Sequence, residues 1–256
     1  PKVITGVTLL TFGGSIYGTY KFTQHKELGY GRVAMMNYGG ELALTYAQLS
    51  KWLVKSFEEQ TDWPRLSDYF KATINILGFP AGIYLGSKCK LFGNYDYGNV
   101  AIMRFLGRSA FLYGILLPSL FYPDDCLGKM FFCSSEEYYE DEKCKQHSCL
   151  TSLVTMALIP AGNYLGYCLT KDKDYSSGRS FFIETTGIMG VLTGLLLPTL
   201  FDSDERNIYI LSELSGHLLG TIFGFYYKQD KRYKFNQGIF MAFSAVSGTA
   251  VGLFLP

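Results

Sequence analysis

The chain is poor in the groups from which active sites are built. It has only 3 histidines, His25, His147 and His217, among 256 residues. It contains no G-x-x-x-x-G-K-[ST], G-x-S-x-G or H-E-x-x-H pattern, so phosphate-cradling, nucleophile-elbow and zinc-protease chemistry have no support. Net charge is lacking too. The 23 basic and 22 acidic residues leave +1, which gives no reason to expect nucleic acid or a strongly acidic partner. No C-x-x-C pair is present, so even with His147 beside the cysteines a zinc site is the weaker reading. No catalytic residue, cofactor or metal is expected.

Charge is also missing from long stretches. Residues 3–20, 72–87, 185–201, 214–227 and 235–256 carry no Asp, Glu, Lys or Arg, and neither do 109–123 and 148–170. A membrane-spanning helix needs about 20 mostly apolar residues. Two of these runs reach that length and others approach it once flanking side chains snorkel. The expectation is an all-α, polytopic membrane bundle of about eight helices. A soluble bundle of buried helices is the rival, because several runs are short and contain Tyr, Ser and Thr.

The runs repeat. Pro80-Ala81-Gly82-Ile83-Tyr84-Leu85-Gly86 answers Pro160-Ala161-Gly162-Asn163-Tyr164-Leu165-Gly166 at an offset of 160 − 80 = 80. At the same offset Gly98 answers Gly178, Gly107 answers Gly187, Gly114 answers Gly194, and Leu116 to Phe121 answer Leu196 to Phe201. Agreement across two segments and a loop indicates duplication. The chain therefore reads as one domain of four glycine-rich helical hairpins, 1–49, 72–121, 148–201 and 207–256. Residues 122–147 form an acidic, cysteine-rich loop, and 50–71 a polar connection with a short interfacial helix near Trp63 and Pro64. The first copy diverges most; its Gly31 answers Gly98 at an offset of 67, with Gly39 and Gly40 where later copies have Gly107. The chain opens at Pro1 without a methionine and stops at the proline beyond which copies two and three continue, so further sequence is expected at both ends.

Glycines four apart share a helix face. Small faces allow close backbone approach in lipid, where leucine gains nothing by leaving its surroundings. Gly78, Gly82, Gly86, Gly162, Gly166, Gly187, Gly194, Gly216, Gly220 and Gly224 are thus expected at helix contacts; a glycine-lined path is the functional alternative. Pro80 and Pro160 should kink their segments, while Pro118 and Pro198 should end theirs. Glu41, Arg104, Arg108, Glu184, Glu213 and His217 lie inside apolar segments, where ionisable groups are costly and functional by default. Arg104 and Glu184 share a repeat position and are expected to pair across a pseudo-symmetry axis. Glu213 and His217, one turn apart, suit a proton or cation site or a structural hydrogen-bonded pair.

All four tips are net basic and the opposite connections acidic or neutral. On an inner-membrane protein that puts the tips in the cytoplasm and both visible ends outside. Cys126, Cys133, Cys144 and Cys149 then face an oxidising compartment, and two disulfides are expected, with the connectivity open. Cys168 is expected to be a buried thiol. The acidic run Glu136–Glu142 either is solvated or docks on a basic partner.

The glycine-spaced hairpins and the tip Asp174-Tyr175-Ser176-Ser177-Gly178-Arg179 resemble those of bacterial glycine-rich repeat proteins of the cell envelope, and glycine-zipper membrane proteins generally, over nearly the whole chain. The resemblance implies a membrane location and supplies no catalytic residues. Two functions follow as expectations. One is a non-enzymatic membrane scaffold or accessory subunit, held by lipid and by protein partners in a larger envelope complex such as a secretion or translocation assembly. The alternative is a transporter or channel built from repeated hairpins around buried charges.

Overall fold

A computed structural model describes residues 29–58, 68–88, 96–123, 126, 142–227 and 233–254. Among them there are only helices: α1 (Tyr30–Glu58), α2 (Asp68–Lys88), α3 (Tyr97–Ser119), α4 (Glu142–Thr170), α5 (Ser177–Leu196), α6 (Arg206–Tyr226) and α7 (Phe235–Phe254), with a 3-10 turn at Pro198–Phe201 after α5. Four stretches are long and apolar enough to cross a membrane: Tyr97–Ser119, Glu142–Thr170, Ser177–Phe201 and Arg206–Tyr226. The first segment, 3–20, and the interfacial helix expected near Trp63 lie outside the described residues.

The helix boundaries follow local chemistry. Ser176 sits in extended backbone and its Oγ accepts from the Arg179 amide at 3.3 Å, an N-cap that starts α5. Pro118 falls in the last turn of α3 and Pro198 opens the 3-10 turn, so both prolines mark ends as expected. Asp202, at φ 48°, then reverses the chain toward α6; Asp is among the few residues with a side chain that tolerate the left-handed region. Pro80 and Pro160 lie inside α2 and α4.

Two boundaries differ from expectation. Helix α1 continues to Glu58, well past Leu49. Its extension Lys51-Trp52-Leu53-Val54 contains no Gly or Pro to stop it, and Lys51 and Leu53 favour the helix. Helix α4 begins at Glu142, an acidic residue in its first turn where the helix dipole favours it, so Cys144, His147 and Cys149 are helical rather than part of a loop.

The larger correction concerns which helices pack. Among the described residues the two helices flanking each basic tip, α2 with α3, α4 with α5 and α6 with α7, hardly touch. The extensive contacts run across the other connections: α1 on α2, α3 on α4 and α5 on α6. Each is an antiparallel seam. Gly82 abuts the Gly39 carbonyl, Gly162 the Leu106 carbonyl and Gly220 the Thr186 carbonyl; Gly86, Gly166 and Gly224 meet the backbone of Met36, Met103 and Ile183 one turn away. The numbers across a seam sum to a near-constant value, 39 + 82 = 121 and 36 + 86 = 122, or 186 + 220 = 406 and 183 + 224 = 407, as antiparallel helices require. Neighbouring seams join through α1, α3, α5 and α7, which lie side by side in that order. Their starts stack, with Gly98 against the Tyr175 carbonyl and Gly178 against that of Lys234.

A methyl group at Gly82 would collide with the Gly39 carbonyl and come within 2.7 Å of Ala43 Cβ; one at Gly162 would lie 2.6 Å from Ala110 Cβ. Gly82→Leu and Gly162→Leu are therefore expected to cost about 3 kcal/mol or more by overpacking. Gly29, with nothing within 4 Å of the added carbon, should accept Ala without loss. Thermal unfolding in mild detergent measures all three, and equal midpoints would show that the seams do not hold the helices.

Candidate functional site

The ionisable residues of the apolar segments fall into two clusters. In the first, Arg108 of α3 hydrogen-bonds the Glu41 carboxylate of α1, and its Nη1 lies 3.8 Å from Glu184 Oε1 of α5. One guanidinium thus links three neighbouring helices through a planar fork suited to carboxylates. Arg108 and Glu41 are nearly half exposed at 45% and 42%, Glu184 less so at 22%, which puts the cluster on an outer face of the helices, at the middle of α3, rather than in the core. The expected pairing of Arg104 with Glu184 is not what forms. The axis it assumed would turn equivalent positions toward each other, whereas α3 and α5 run parallel, and equivalent positions on parallel helices point the same way. Arg108, one turn further on, reaches Glu184 instead.

In the second cluster, His217 of α6 is 5% exposed, with Nε2 3.0 Å from Ser109 Oγ and Nδ1 3.3 Å from the Tyr113 hydroxyl, both on α3. The Tyr113 hydroxyl also donates to the Leu214 carbonyl at 2.9 Å. The rings of Phe105 and Tyr113 lie 5.6 and 5.5 Å away. With both ring nitrogens engaged by hydroxyls, His217 joins two helices. Glu213 is half-buried one turn earlier on α6. Among the described residues no group of three or more His, Cys, Asp or Glu is placed to hold a metal.

Composition did not single out three polar residues that matter more. Arg32 Nη2 donates to the Ser87 carbonyl at 3.1 Å, and Asn99 Nδ2 to Thr170 at 3.2 Å. Arg179 donates to Tyr227 at 2.6 Å and Phe225 at 2.8 Å. Each side chain satisfies carbonyls left open at the end of the antiparallel partner, α2, α4 or α6 in turn. Arg179 is 3% exposed and lies over the rings of Phe182 and Tyr233, each 5.7 Å away. The signal was in the sequence: 99 − 32 = 67 and 179 − 99 = 80 are the repeat offsets already noted.

At the other end, Arg206 clamps the carbonyls of Ser119 and Tyr122, each at 2.6 Å, and His147 Nε2 lies 3.0 Å from Ser119 Oγ. Beside them Cys126 and Cys144 form a disulfide, with Cα atoms 5.1 Å apart and both residues fully buried. This is one of the two bridges expected. Cys149 is a free thiol one turn along α4, and Cys133 lies outside the described residues, as does the acidic run except for Glu142. Cys168 is exposed rather than buried, because it lies on the face of α4 away from α3. The inward face of α4 carries Ser148, Thr151, Ser152 and Thr155, all fully buried with hydroxyls that have no partner among the described residues. These small side chains let α3 approach, and Gly114 rests on Thr155.

A scan for protein families, a search of curated proteins and a search of solved structures each find no match to this chain.

Alkylation in denaturant, before and after reduction, should leave Cys126 and Cys144 protected until reductant is added while Cys149 and Cys168 react at once; intact mass with peptide mapping reads the count. Cys126→Ser should lower the stability of the oxidised protein by about 3 kcal/mol, since the bridge closes a loop with a sequence separation of 18. Free Cys126 and Cys144 in protein purified without reductant would remove the bridge.

Proposed function

We propose that this chain is a non-enzymatic integral membrane scaffold, built by repetition of one glycine-seamed helix pair and serving as an accessory subunit of a larger envelope assembly. The observation that carries the reading is the distribution of side chains. Small and polar residues, Ser109, Ser148, Thr151, Ser152, Thr155, Ser180 and Thr221, are buried, while Leu195, Leu200, Phe201, Leu219, Phe240 and Phe243 are exposed. A protein surrounded by water would leave such an apolar surface unpaid, whereas lipid solvates it.

Dry packing favours a scaffold over a transporter. The seams are closed by direct backbone contact, and a transport path would need a continuous polar cavity to Glu213, Arg104 and Glu184. A groove between α5, α6 and α7, walled by Thr185, Leu219 and Phe223 among others, is apolar and is lined by none of the three. For sidedness, the tip Lys171–Asp174 belongs to the cytoplasmic side by its neighbours in the repeat, and the bridge of Cys126 with Cys144 fits the opposite, oxidising side.

Single cysteines at the exposed positions Asp172 and Asp204, in a chain with Cys89, Cys133, Cys149 and Cys168 replaced by Ser, test this directly. A membrane-impermeant maleimide should label the two from opposite sides of sealed vesicles. Labelling of both from one side, or release of the chain by alkaline carbonate, would reject the membrane reading; ion flux through purified protein in liposomes would favour the transporter.

A further inference from the structure

Six tyrosines are exposed among the described residues: Tyr30, Tyr84, Tyr97, Tyr164, Tyr226 and Tyr227. All six lie at one end of the bundle. Tyr30 and Tyr97 are the first residues of α1 and α3, Tyr226 is the last of α6, and Tyr227 caps it. Tyr84 precedes the end of α2, and Tyr164 the end of α4, by four and six residues; at 1.5 Å per residue that is about 6 and 9 Å. Because α1 and α3 start where the antiparallel helices α2, α4 and α6 finish, these positions make one band beside the basic tips. They come from both the row and the helices laid across it, so they are spread around that end and not gathered in a single patch.

Tyrosines deeper in the bundle turn inward. The hydroxyls of Tyr38, Tyr46 and Tyr113 bond Asn163, the Met156 carbonyl and the Leu214 carbonyl. Midway along the helices the exposed large side chains are aliphatic, as at Leu77, Ile188 and Leu218. At the opposite end the turns after α3 and α5 expose Phe121 and Phe201, which occupy the same repeat position, with Asp202, Asp204 and Glu205 exposed near the second. A phenol ring suits a boundary where an apolar layer meets a hydrated one, since its face and its hydroxyl favour different surroundings. One end of this fold carries that boundary chemistry and the other does not.

The same end displays ammonium groups at the level of the band. Lys88, Lys171, Lys173 and Lys234 are exposed there. Lys88 Nζ lies 5.7 Å from the centre of the Tyr84 ring, and Tyr164 and Lys171, seven residues apart, share a face of α4. Asp96, Asp172 and Asp174 are exposed as well and balance the tip between α4 and α5. The excess of positive charge comes from the tip that follows Tyr226 and Tyr227, where the sequence has Lys228, Lys231, Arg232 and Lys234 against Asp230. Hydroxyl and ammonium donors at one level match the phosphate oxygens of a lipid headgroup, and basic side chains within a Debye length of a membrane are drawn to its acidic lipids.

We propose, resting on the membrane reading above, that the tip end binds acidic phospholipids: their headgroup phosphates lie between the exposed lysines and the tyrosine band, while the aliphatic middle of the helices meets their chains. Lipid surrounds a spanning protein, as this band surrounds the end of the bundle. A protein partner would cover one side.

The test uses the 256-residue chain, purified in mild detergent and given an equal mixture of phosphatidylcholine and phosphatidylglycerol. Native mass spectrometry of the retained lipid should show phosphatidylglycerol in excess. Combined Lys88→Gln, Lys171→Gln, Lys173→Gln and Lys234→Gln should reduce that preference by up to about fivefold per lysine removed, and arginine at the same four positions should restore it. Tyr84→Trp and Phe121→Trp, each in a chain with Trp52→Phe and Trp63→Phe, locate the contact in vesicles: phosphatidylglycerol labelled on its headgroup should quench the first more than labelled phosphatidylcholine does, and the two labels should quench the second alike. Equal retention of the two lipids, a preference that the four glutamines leave unchanged, or a preference read at position 121 and not at 84 would overturn the proposal. Inorganic phosphate that displaces the retained phosphatidylglycerol would make free phosphate the occupant, and a poly-glutamate peptide that displaces it would assign the surface to an acidic protein; either result also rejects the lipid. Failure of the membrane reading is distinct. A chain that alkaline carbonate releases and that still selects phosphatidylglycerol keeps the lipid contact and loses the spans, whereas a chain that stays in the membrane without lipid preference loses this proposal alone.

Discussion

Everything in this fold depends on backbones coming close enough to touch at three antiparallel seams. Four of the helices are long and apolar enough to cross a membrane; in lipid, association gains nothing from leaving water, so such helices would be held by dispersion at short range and by the few polar contacts that short range permits. At Gly82, Gly162 and Gly220 a carbonyl of the facing helix occupies the space a side chain would need. Each interior glycine costs a helix roughly 0.5–1 kcal/mol relative to alanine. The cost is offset only where the facing backbone fills the gap, which is why the glycines lie where the seams are.

Close approach then decides where polar groups can go. The inner face of α4 carries Ser148, Thr151, Ser152 and Thr155, all fully buried. Larger polar side chains are pushed to the seam ends and outer faces. Arg179 and Asn99 reach the open carbonyls of the neighbouring helix there, and Arg108 lies between Glu41 and Glu184. His217 is the exception that remains central, and it remains because two α3 hydroxyls complete its ring. Glu41, Arg108, Glu184 and His217 therefore act here as ties between helices.

Seams and fasteners together make a structure that extends by addition. Each step adds one parallel helix to the row and lays one antiparallel helix back across the previous step. Such quasi-one-dimensional arrangements need capped or continued ends.

The uncharged runs, the glycine spacing and the turn prolines were enough to give an all-helical chain, the ends of α3, α5 and α6, and a cysteine bridge near the acidic connection. They were enough because each of these depends on a few neighbouring residues. The pairing of helices was not legible. Glycines four apart mark a face and leave its partner open, and the basic tips invited the wrong one: α2 was expected to pack on α3, and it packs on α1. The partner of Glu184 was misread for the same reason, since whether Arg104 or Arg108 reaches it depends on the relative direction of two helices 80 residues apart in the repeat. That direction is fixed by contacts summed over whole seams, a quantity no local pattern contains, so only the assembled structure could decide it.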